Sequence, residues 1–144
     1  MYKNATPLPY PFYKQQQDNE CALSCLKMVS EFYGKQITFE YLRELVQMDP
    51  EGISIYNVVK SLNLLNFKSL VVSATYFSLL EKAILPCIML WKSNHYVVIY
   101  NITDGYVNFA DPNTGLLMMD IKDFSGLYKD SEKEEWIILL EPRS

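Results

Sequence analysis

The sequence predicts an α+β fold, with helices in the N-terminal half and an antiparallel sheet in the C-terminal half. Apolar residues recur at helical spacing up to Leu65, whereas short apolar, β-branched and aromatic runs follow Asn66. The pair Asp104-Gly105 separates two of these later runs, and Asp-Gly in that setting is a strong signal for a hairpin between adjacent strands. Helices followed by hairpin-linked strands are typical of an α+β domain rather than of alternating βα units.

The composition is that of one globular domain that needs no disulfide or metal to hold its core. A chain of 144 residues, 49% of them hydrophobic, can bury a single large core. The net charge of -4 argues against nucleic acid as a partner. No apolar run is long enough for a signal peptide or a membrane span, and three cysteines without an export signal suit a reducing compartment. We therefore expect one soluble, cytosolic domain over residues 1–144.

The chain begins with a proline-rich arm, residues 1–14, which we expect to be extended and to lie against the domain. The first helix is predicted to begin at Cys21 and to stop at Gly34, with Asp18 or Asn19 as its N-cap. A thiol in the first turn lies beside unpaired backbone N–H groups and the positive end of the helix dipole, which favour the thiolate. Cys21 is therefore placed to be a reactive cysteine.

The remaining elements follow from caps and periodicity. Thr38 is predicted to cap a second helix that runs to about Met48, and Ser54 to cap a third. A polar, charged loop is expected at 129–135. A further short helix is predicted at 77–84, and strands are predicted at 70–72, 87–91, 95–100, 106–110, 116–119 and 136–140. Short turns between most of these strands predict an antiparallel sheet.

The predicted hairpin brings a histidine and an aspartate together. His95, the only histidine, begins one strand and Asp111 ends the other, and the midpoint of the two positions, residue 103, falls in the predicted turn at 101–105. Residues in that relation face each other across an antiparallel pair, with Cβ atoms about 5 Å apart. A carboxylate at that distance can accept a hydrogen bond from the imidazole, fix its tautomer and stabilise its protonated form.

Cys21, His95 and Asp111 together are the parts of a thiolate–imidazolium nucleophile. The backbone N–H of Cys21 and a side-chain amide from one of the glutamines at 15–17 are candidate donors for the oxyanion of a tetrahedral intermediate. Each signal also has a plain interpretation, because cysteines on apolar helix faces usually pack in cores and Asp-Pro pairs usually form turns. Their joint occurrence favours a catalytic site.

A second interpretation is a structural zinc site with three cysteines and one histidine, at Cys21, Cys25, Cys87 and His95. The ligand count fits. Two cysteines four residues apart on a helix are a poor match to the tight turns that hold such sites, however, and Asp111 would have no role beyond supporting a ligand. We therefore interpret Cys25 and Cys87 as core residues.

The chain resembles the C39 peptidase domains found at the N-terminus of bacterial exporters for bacteriocins and lanthipeptides. Gln15 lies six residues before Cys21, as the family's oxyanion glutamine does before its nucleophile. The family's Asp-Cys-Gly-x-x-Cys-Leu-x-Met, Gly-His-Phe-Val-Val and Asp-Pro-x-x-Gly motifs are matched in order by residues 20–28, 94–98 and 111–115. The departures, none of which removes a catalytic atom, are Glu20, Ala22 and Asn94.

The resemblance implies a papain-like cysteine protease fold and a role for each matched residue. Cys21 would be the nucleophile, His95 the general base and then the acid, and Asp111 the residue that orients His95. Gln15 and the backbone N–H of Cys21 would form the oxyanion hole. No metal and no organic cofactor is implied.

The same resemblance implies a substrate and a setting. The expected substrate is a bacteriocin or lanthipeptide precursor whose amphipathic helical leader is cut after a Gly-Gly or Gly-Ala pair, coupled to export. The expected partners are the membrane-spanning and ATP-binding parts of the same transporter, with this domain, excised from the longer chain or standing alone, on the cytoplasmic side of the bacterial membrane. Two alternatives stay open: a catalytically silent C39-like domain that only docks cargo, and another papain-like amide hydrolase or acyl transferase.

Overall fold

The computed structural model describes residues 6–75, 82–91, 95–129 and 135–143. The predicted helix at 77–84, the predicted loop at 129–135 and Asn94 lie mostly or entirely outside these ranges. The helices are α1 (Cys21–Phe32), α2 (Phe39–Leu45), α3 (Ile55–Leu64) and α4 (Ile121–Lys129). The strands are β1 (Phe67–Ser73), β2 (Cys87–Trp91), β3 (His95–Thr103), β4 (Tyr106–Asp111), β5 (Gly115–Asp120) and β6 (Trp136–Pro142). None of the described helices combines the length and the apolar character needed to cross a bilayer.

The six strands form one sheet in the order β1-β6-β2-β3-β4-β5, and every neighbouring pair is antiparallel. This helical first half and antiparallel second half confirm the predicted α+β class. β6, which comes last in the sequence, lies in the interior of the sheet between β1 and β2. The strands β2, β3 and β4 are therefore supported by a hydrogen-bonded neighbour on both sides.

The sheet separates two hydrophobic cores. Along β3, Tyr96 and Val98 lie in the core shared with α1, α2 and α3, whereas Val97 lies in the core on the opposite face. α4 covers part of that second face through Phe124, whose ring lies 5.2 Å from the ring of Phe109. Successive residues of an interior strand therefore point into different cores, as the pleat of a strand requires.

Side-chain caps begin α2 and α3 at the predicted residues. Thr38 Oγ1 accepts a hydrogen bond from the N–H of Tyr41 at 3.0 Å, and Ser54 Oγ accepts one from the N–H of Asn57 at 3.2 Å. Each cap satisfies an N–H group that a helix start leaves without an intrahelical partner. α2 is shorter than predicted because Val46 is already extended, with a ψ of 130°.

α1 begins at Cys21 as predicted, but its N-cap residue is Glu20, so the prediction of Asp18 or Asn19 as the cap is wrong. The reason is a tight turn in which the N–H of Glu20 donates to the Gln17 carbonyl at 3.1 Å. This turn leaves the two predicted residues outside the helix. The Glu20 side chain makes no capping hydrogen bond either.

Gly34 lies at the end of α1, and Asp120 lies at the start of α4. α1 is followed by Gly34, whose φ of +84° is the left-handed conformation expected of a glycine that stops a helix. α4 is absent from the sequence-based assignment, although Asp120 Oδ1 accepts a hydrogen bond from the N–H of Lys122 at 2.8 Å, as a residue before a helix does. The helical spacing of Ile121 and Phe124 is the signal that identifies it.

The described part of the N-terminal arm, residues 6–14, has no helix or strand and lies against the domain, as predicted. The N–H of Leu8 donates to Oδ1 of the buried Asn108 at 3.0 Å, and the Tyr100 hydroxyl donates to the Leu8 carbonyl at 2.6 Å. The ring of Tyr10 stacks on that of Tyr100 with 4.4 Å between centroids. The arm is thus bound to the middle of β3 and β4.

Candidate active site

Cys21 is the first residue of α1, and only 7% of it is exposed. The side chain of the N-cap residue, Glu20, accepts no hydrogen bond from the backbone N–H groups of the first helical turn. These N–H groups carry the partial positive charge of the helix start. The thiol therefore lies where negative charge is stabilised.

His95 and Asp111 meet at one end of the β3–β4 hairpin. His95 is the first residue of β3, Asp111 is the last of β4, and His95 Nε2 lies 3.2 Å from Asp111 Oδ1. Both side chains are largely shielded from solvent, with 32% of the histidine and 14% of the aspartate side chain exposed. The predicted imidazole–carboxylate pair is formed.

The predicted register of this pair is wrong, although the contact is right. Val98 pairs with Ala110 in the ladder, and continuing that register sets Asp111 level with Val97, two residues along the strand from His95. The two side chains therefore meet along a diagonal of the sheet, a spacing that longer side chains can span.

Turn geometry accounts for the different register. The hairpin loop has only two residues, Asp104 and Gly105, both with positive φ (54° and 80°), as a type I′ turn requires. A bulge between Ile99 and Asn101 then adds one residue to β3 relative to β4. Together these features move the pairing by two residues from the one that a five-residue turn predicts.

The electrostatics of the pair favour a charged imidazole. The hydrogen bond that His95 donates to Asp111, followed by the one with Cys21, raises the pKa of His95 from 6.5 to about 9, although burial acts in the opposite direction. Burial acts to raise the pKa of Asp111, but hydrogen bonds from His95 and from the N–H of Asn113 outweigh it and lower this pKa. The imidazole is therefore positively charged and the carboxylate negatively charged at neutral pH.

The imidazole also lies within hydrogen-bonding reach of the Cys21 thiol. Because Nε2 of His95 faces Asp111, Nδ1 is the ring nitrogen that remains for the sulfur. The thiol and the carboxylate thus flank the two nitrogens of one ring. The structure brings together the three residues that the sequence analysis groups as a nucleophile, a base and an orienting acid.

A tryptophan that the sequence analysis does not assign to the site completes the surroundings of the histidine. Trp91 is paired with His95 in the β2–β3 ladder, and its ring stacks on the imidazole with 6.1 Å between centroids and 26° between planes. The indole also contacts Phe109 and Phe124 in the second core. The only sequence signal is an aromatic residue at the end of the buried strand just before His95.

Gln15 is held close to the aspartate by its backbone. Its N–H donates to the Pro112 carbonyl at 3.0 Å, in the turn that follows Asp111. Its side-chain Nε2 donates to the carbonyls of Gln17 and Asp18 at 3.0 and 3.1 Å. Both amide hydrogens are therefore engaged within the loop that leads to α1.

The other two cysteines lie in the cores, as predicted. Cys25 and Cys87 are both 0% exposed. Burial, followed by the nearby charges of Cys21 and Asp111, raises the pKa of Cys25 well above its usual value, and burial raises that of Cys87 to about 12. Neither residue is disposed to be a thiolate.

The alternative zinc site is not assembled. Cys87 belongs to the core on the face of the sheet that α1 does not cover, so it does not converge with the two cysteines of α1. Among the described residues, no group of three or more histidine, cysteine, aspartate or glutamate side chains is arranged to hold a metal ion.

The relatives of this chain are much longer bacterial proteins. It is 33% identical over 135 residues to the lactococcin-G-processing and transport ATP-binding protein LagD of Lactococcus lactis subsp. lactis, covering 90% of this chain and 18% of that protein. It is 30% identical over 110 residues to the pediocin PA-1 transport/processing ATP-binding protein PedD of Pediococcus acidilactici, covering 72% and 15%. The chain thus spans less than a fifth of the length of these relatives.

Solved structures share the fold over nearly the whole chain. A double glycine motif protease from an AMS/PCAT transporter, in complex with the leader peptide, has a TM-score of 0.81 at 22% identity and covers 96% of both chains. The peptidase domain of Streptococcus ComA has a TM-score of 0.79 at 20% identity and covers 94% of this chain and 100% of that chain. Because the sequence model of the peptidase C39 family matches residues 9–143, this chain belongs to that family of cysteine peptidases.

Proposed function

We propose that this domain is a cysteine endopeptidase that removes the leader from a bacteriocin or lanthipeptide precursor during export. The observation that carries the proposal is the convergence of a helix-initial thiol, an imidazole and a carboxylate, at Cys21, His95 and Asp111. Membership of the C39 family supports the reaction class. The names of the relatives, which join processing to transport, support the substrate class.

In the proposed reaction, the Cys21 thiolate attacks the carbonyl carbon of the last leader residue and a C–S bond forms. His95 donates its Nδ1 proton to the amide nitrogen as the C–N bond breaks, so the mature peptide leaves as an amine. Water then attacks the thioester while His95 accepts a proton from it. The C–S bond breaks, the leader leaves as a carboxylic acid that ionises, and the thiolate–imidazolium pair is restored.

The pKa of His95 supports the first of these steps. With a pKa of about 9, the imidazole carries its proton at neutral pH before the substrate binds. A positive charge beside a thiol stabilises the thiolate, so the nucleophile and the acid are prepared by the same contact. Asp111 would hold the ring in this orientation and balance its charge.

For the oxyanion we propose the backbone N–H of Cys21 as the first donor, because the start of α1 carries no side-chain cap. The second proposed donor is the Nε2 of Gln15. Since this group now donates to the carbonyls of Gln17 and Asp18, the proposal requires one of those hydrogen bonds to be exchanged for the oxyanion when substrate binds.

The proposed cleavage point is after a Gly-Gly or Gly-Ala pair at the end of an amphipathic leader. A structural neighbour of this domain is a double glycine motif protease solved with its leader peptide. We also propose that the domain works on the cytoplasmic side of the membrane, beside membrane-spanning and ATP-binding parts like those of its relatives. The proposed chemistry requires no metal or organic cofactor.

The test compares two cysteines of the same helix. Synthetic peptides with amphipathic leaders ending in Gly-Gly are incubated with the protein, and the products are identified by mass spectrometry. Cys21→Ala should lower the cleavage rate at least about 1000-fold, because the nucleophile is lost, and should leave leader binding intact. Cys25→Ala, a buried neighbour four residues along α1, should retain most of the activity.

Three outcomes would contradict the proposal in different ways. Equal losses in the two variants would mean that packing of α1, and not a nucleophile, is being measured. Binding of the leader without cleavage by the wild-type protein would favour a docking domain. Equal cleavage of a peptide with leucine in place of the last leader glycine would contradict the proposed preference for small residues.

A further inference from the structure

A partly buried ion pair lies immediately beside the proposed nucleophile. Glu20, the residue before Cys21, is only 3% exposed, and both of its carboxylate oxygens accept hydrogen bonds from Arg43 on α2. The distances are 2.7 Å from Nε to Oε2 and 2.9 Å from Nη2 to Oε1. A two-pronged contact of this kind fixes the orientation of the carboxylate as well as its position.

The same guanidinium reaches the other end of the loop that precedes α1. Arg43 Nη2 also donates to Gln16 Oε1 at 2.6 Å, and Gln16 follows the proposed oxyanion residue Gln15. One side chain of α2 therefore holds both ends of the segment 16–20. The pKa of Arg43 is raised, mainly by its hydrogen bond to Glu20 and also by the charges of Glu20 and Glu40.

The direction of the Glu20 carboxylate matters for the start of α1. A carboxylate at an N-cap position ordinarily accepts hydrogen bonds from the first-turn N–H groups, but the Glu20 carboxylate is turned to Arg43 and makes no such bond. The Glu20 side chain therefore does not compete with a thiolate or an oxyanion for these N–H groups. An unpaired carboxylate in this place would also repel the thiolate, because both charges are negative.

We propose that Arg43 is a positioning residue for Cys21: it neutralises Glu20, keeps the Glu20 carboxylate away from the first turn of α1, and anchors the loop that carries Gln15. This inference rests on the proposed peptidase function, since it concerns the reactivity of the same thiol. The other charged groups near the thiol, His95 and Asp111, lie on the sheet and are not part of the Arg43 contact.

The test measures the rate at which iodoacetamide alkylates Cys21 between pH 5 and pH 9, which requires no peptide substrate. Cys25 and Cys87 are fully buried, so alkylation of the folded protein reports on Cys21. Arg43→Met should slow alkylation at pH 6 to 7 by about tenfold and move the profile to higher pH, because Glu20 loses its partner. Arg43→Lys keeps the positive charge but not the two-pronged contact with the carboxylate. Its alkylation rate should lie between those of the wild type and Arg43→Met.

A charge-balance variant separates electrostatics from packing. Adding Glu20→Gln to Arg43→Met removes the unpaired charge and should restore most of the wild-type profile. Arg143→Met is the matched control, because Arg143 contacts Asn63 and lies away from the site. It should leave the profile unchanged. Circular dichroism establishes that each variant is folded. If Arg43→Met does not fold, Arg43→Lys replaces it in the comparison with the wild type.

The outcomes distinguish this inference from the proposed function. A folded Arg43→Met protein that matches the wild-type profile, or a double variant no faster than Arg43→Met, would overturn the role of Arg43 while leaving the peptidase proposal in place. Equally slow alkylation of wild type and His95→Ala would overturn the peptidase proposal, and the role of Arg43 with it.

Discussion

Replacing Asp111 with asparagine should return the pKa of His95 most of the way to its ordinary value. In the folded protein this pKa is about 9, and the hydrogen bond to Asp111 is the largest cause, ahead of the one with Cys21. Asparagine keeps the shape and the oxygen that accepts from Asn113 but removes the negative charge. Because Cys21 remains, we expect the pKa of the variant to stay somewhat above 6.5.

The same change should lower the stability of the protein in a pH-dependent way. The interval from 6.5 to about 9 corresponds to about 3 kcal/mol at about 1.4 kcal/mol per pH unit, and since 32% of the side chain is exposed, solvent screening makes this an upper value. A raised histidine pKa stabilises the fold fully below 6.5, and this stabilisation is lost as the pH rises through about 9. Wild type and variant should therefore differ most near pH 6.

The assay uses the single histidine of the chain, whose ring resonances can be followed by NMR without ambiguity. Urea unfolding of both proteins at pH 6 and pH 10 then gives the free energies of unfolding. Asp120→Asn is the matched control, because Asp120 likewise accepts a backbone N–H but is distant from His95. A wild-type titration midpoint near 6.5, or an equal loss of stability at both pH values, would refute the reasoning.

Three further predictions concern residues around the site. Trp91→Leu should lower the pKa of His95 by about half a unit, because an aromatic face that stabilises the imidazolium is lost, and NMR titration measures it. Tyr96→Phe should lower the free energy of unfolding by about 1 to 2 kcal/mol in urea titrations, because the Ile53 carbonyl loses a buried 2.8 Å hydrogen bond, with peptide cleavage retained. Gly34→Ala should lower the free energy of unfolding by about 1 kcal/mol in the same titrations, because φ is +84° at this position. An unchanged stability would contradict the interpretation of Gly34 as the residue that ends α1.

Local signals were sufficient for much of this fold. The caps at Thr38 and Ser54 could be predicted because each joins a hydroxyl to an N–H only three residues further on. A contact of this short range can be recognised in the sequence itself. The grouping of Cys21, His95 and Asp111 depended only on their positions at the ends of a helix and two strands. Such positions survive small errors in the boundaries of elements.

The finer geometry depended on features that the sequence does not display. A bulge after Ile99 and the two-residue turn at Asp104-Gly105 decide the register of the hairpin. The Asp-Gly pair signals such a turn, whereas the bulge has no unique residue pattern. The stacking of Trp91 on His95 follows from the pairing of β2 with β3, and the contact of Glu20 with Arg43 joins residues 23 positions apart. These are tertiary contacts, which propensity and periodicity do not encode.

The interior position of β6 affects the order in which the sheet can form during synthesis of the chain. The ribosome releases the chain from its N-terminus, so Cys21, His95 and Asp111 are all synthesised before β6. Until β6 is inserted, β1 has no neighbour in the described sheet and β2 has one bare edge. The three residues of the proposed active site are therefore synthesised before the strand that joins β1 to β2. The six-stranded sheet that supports this site can be completed only after β6 has been synthesised.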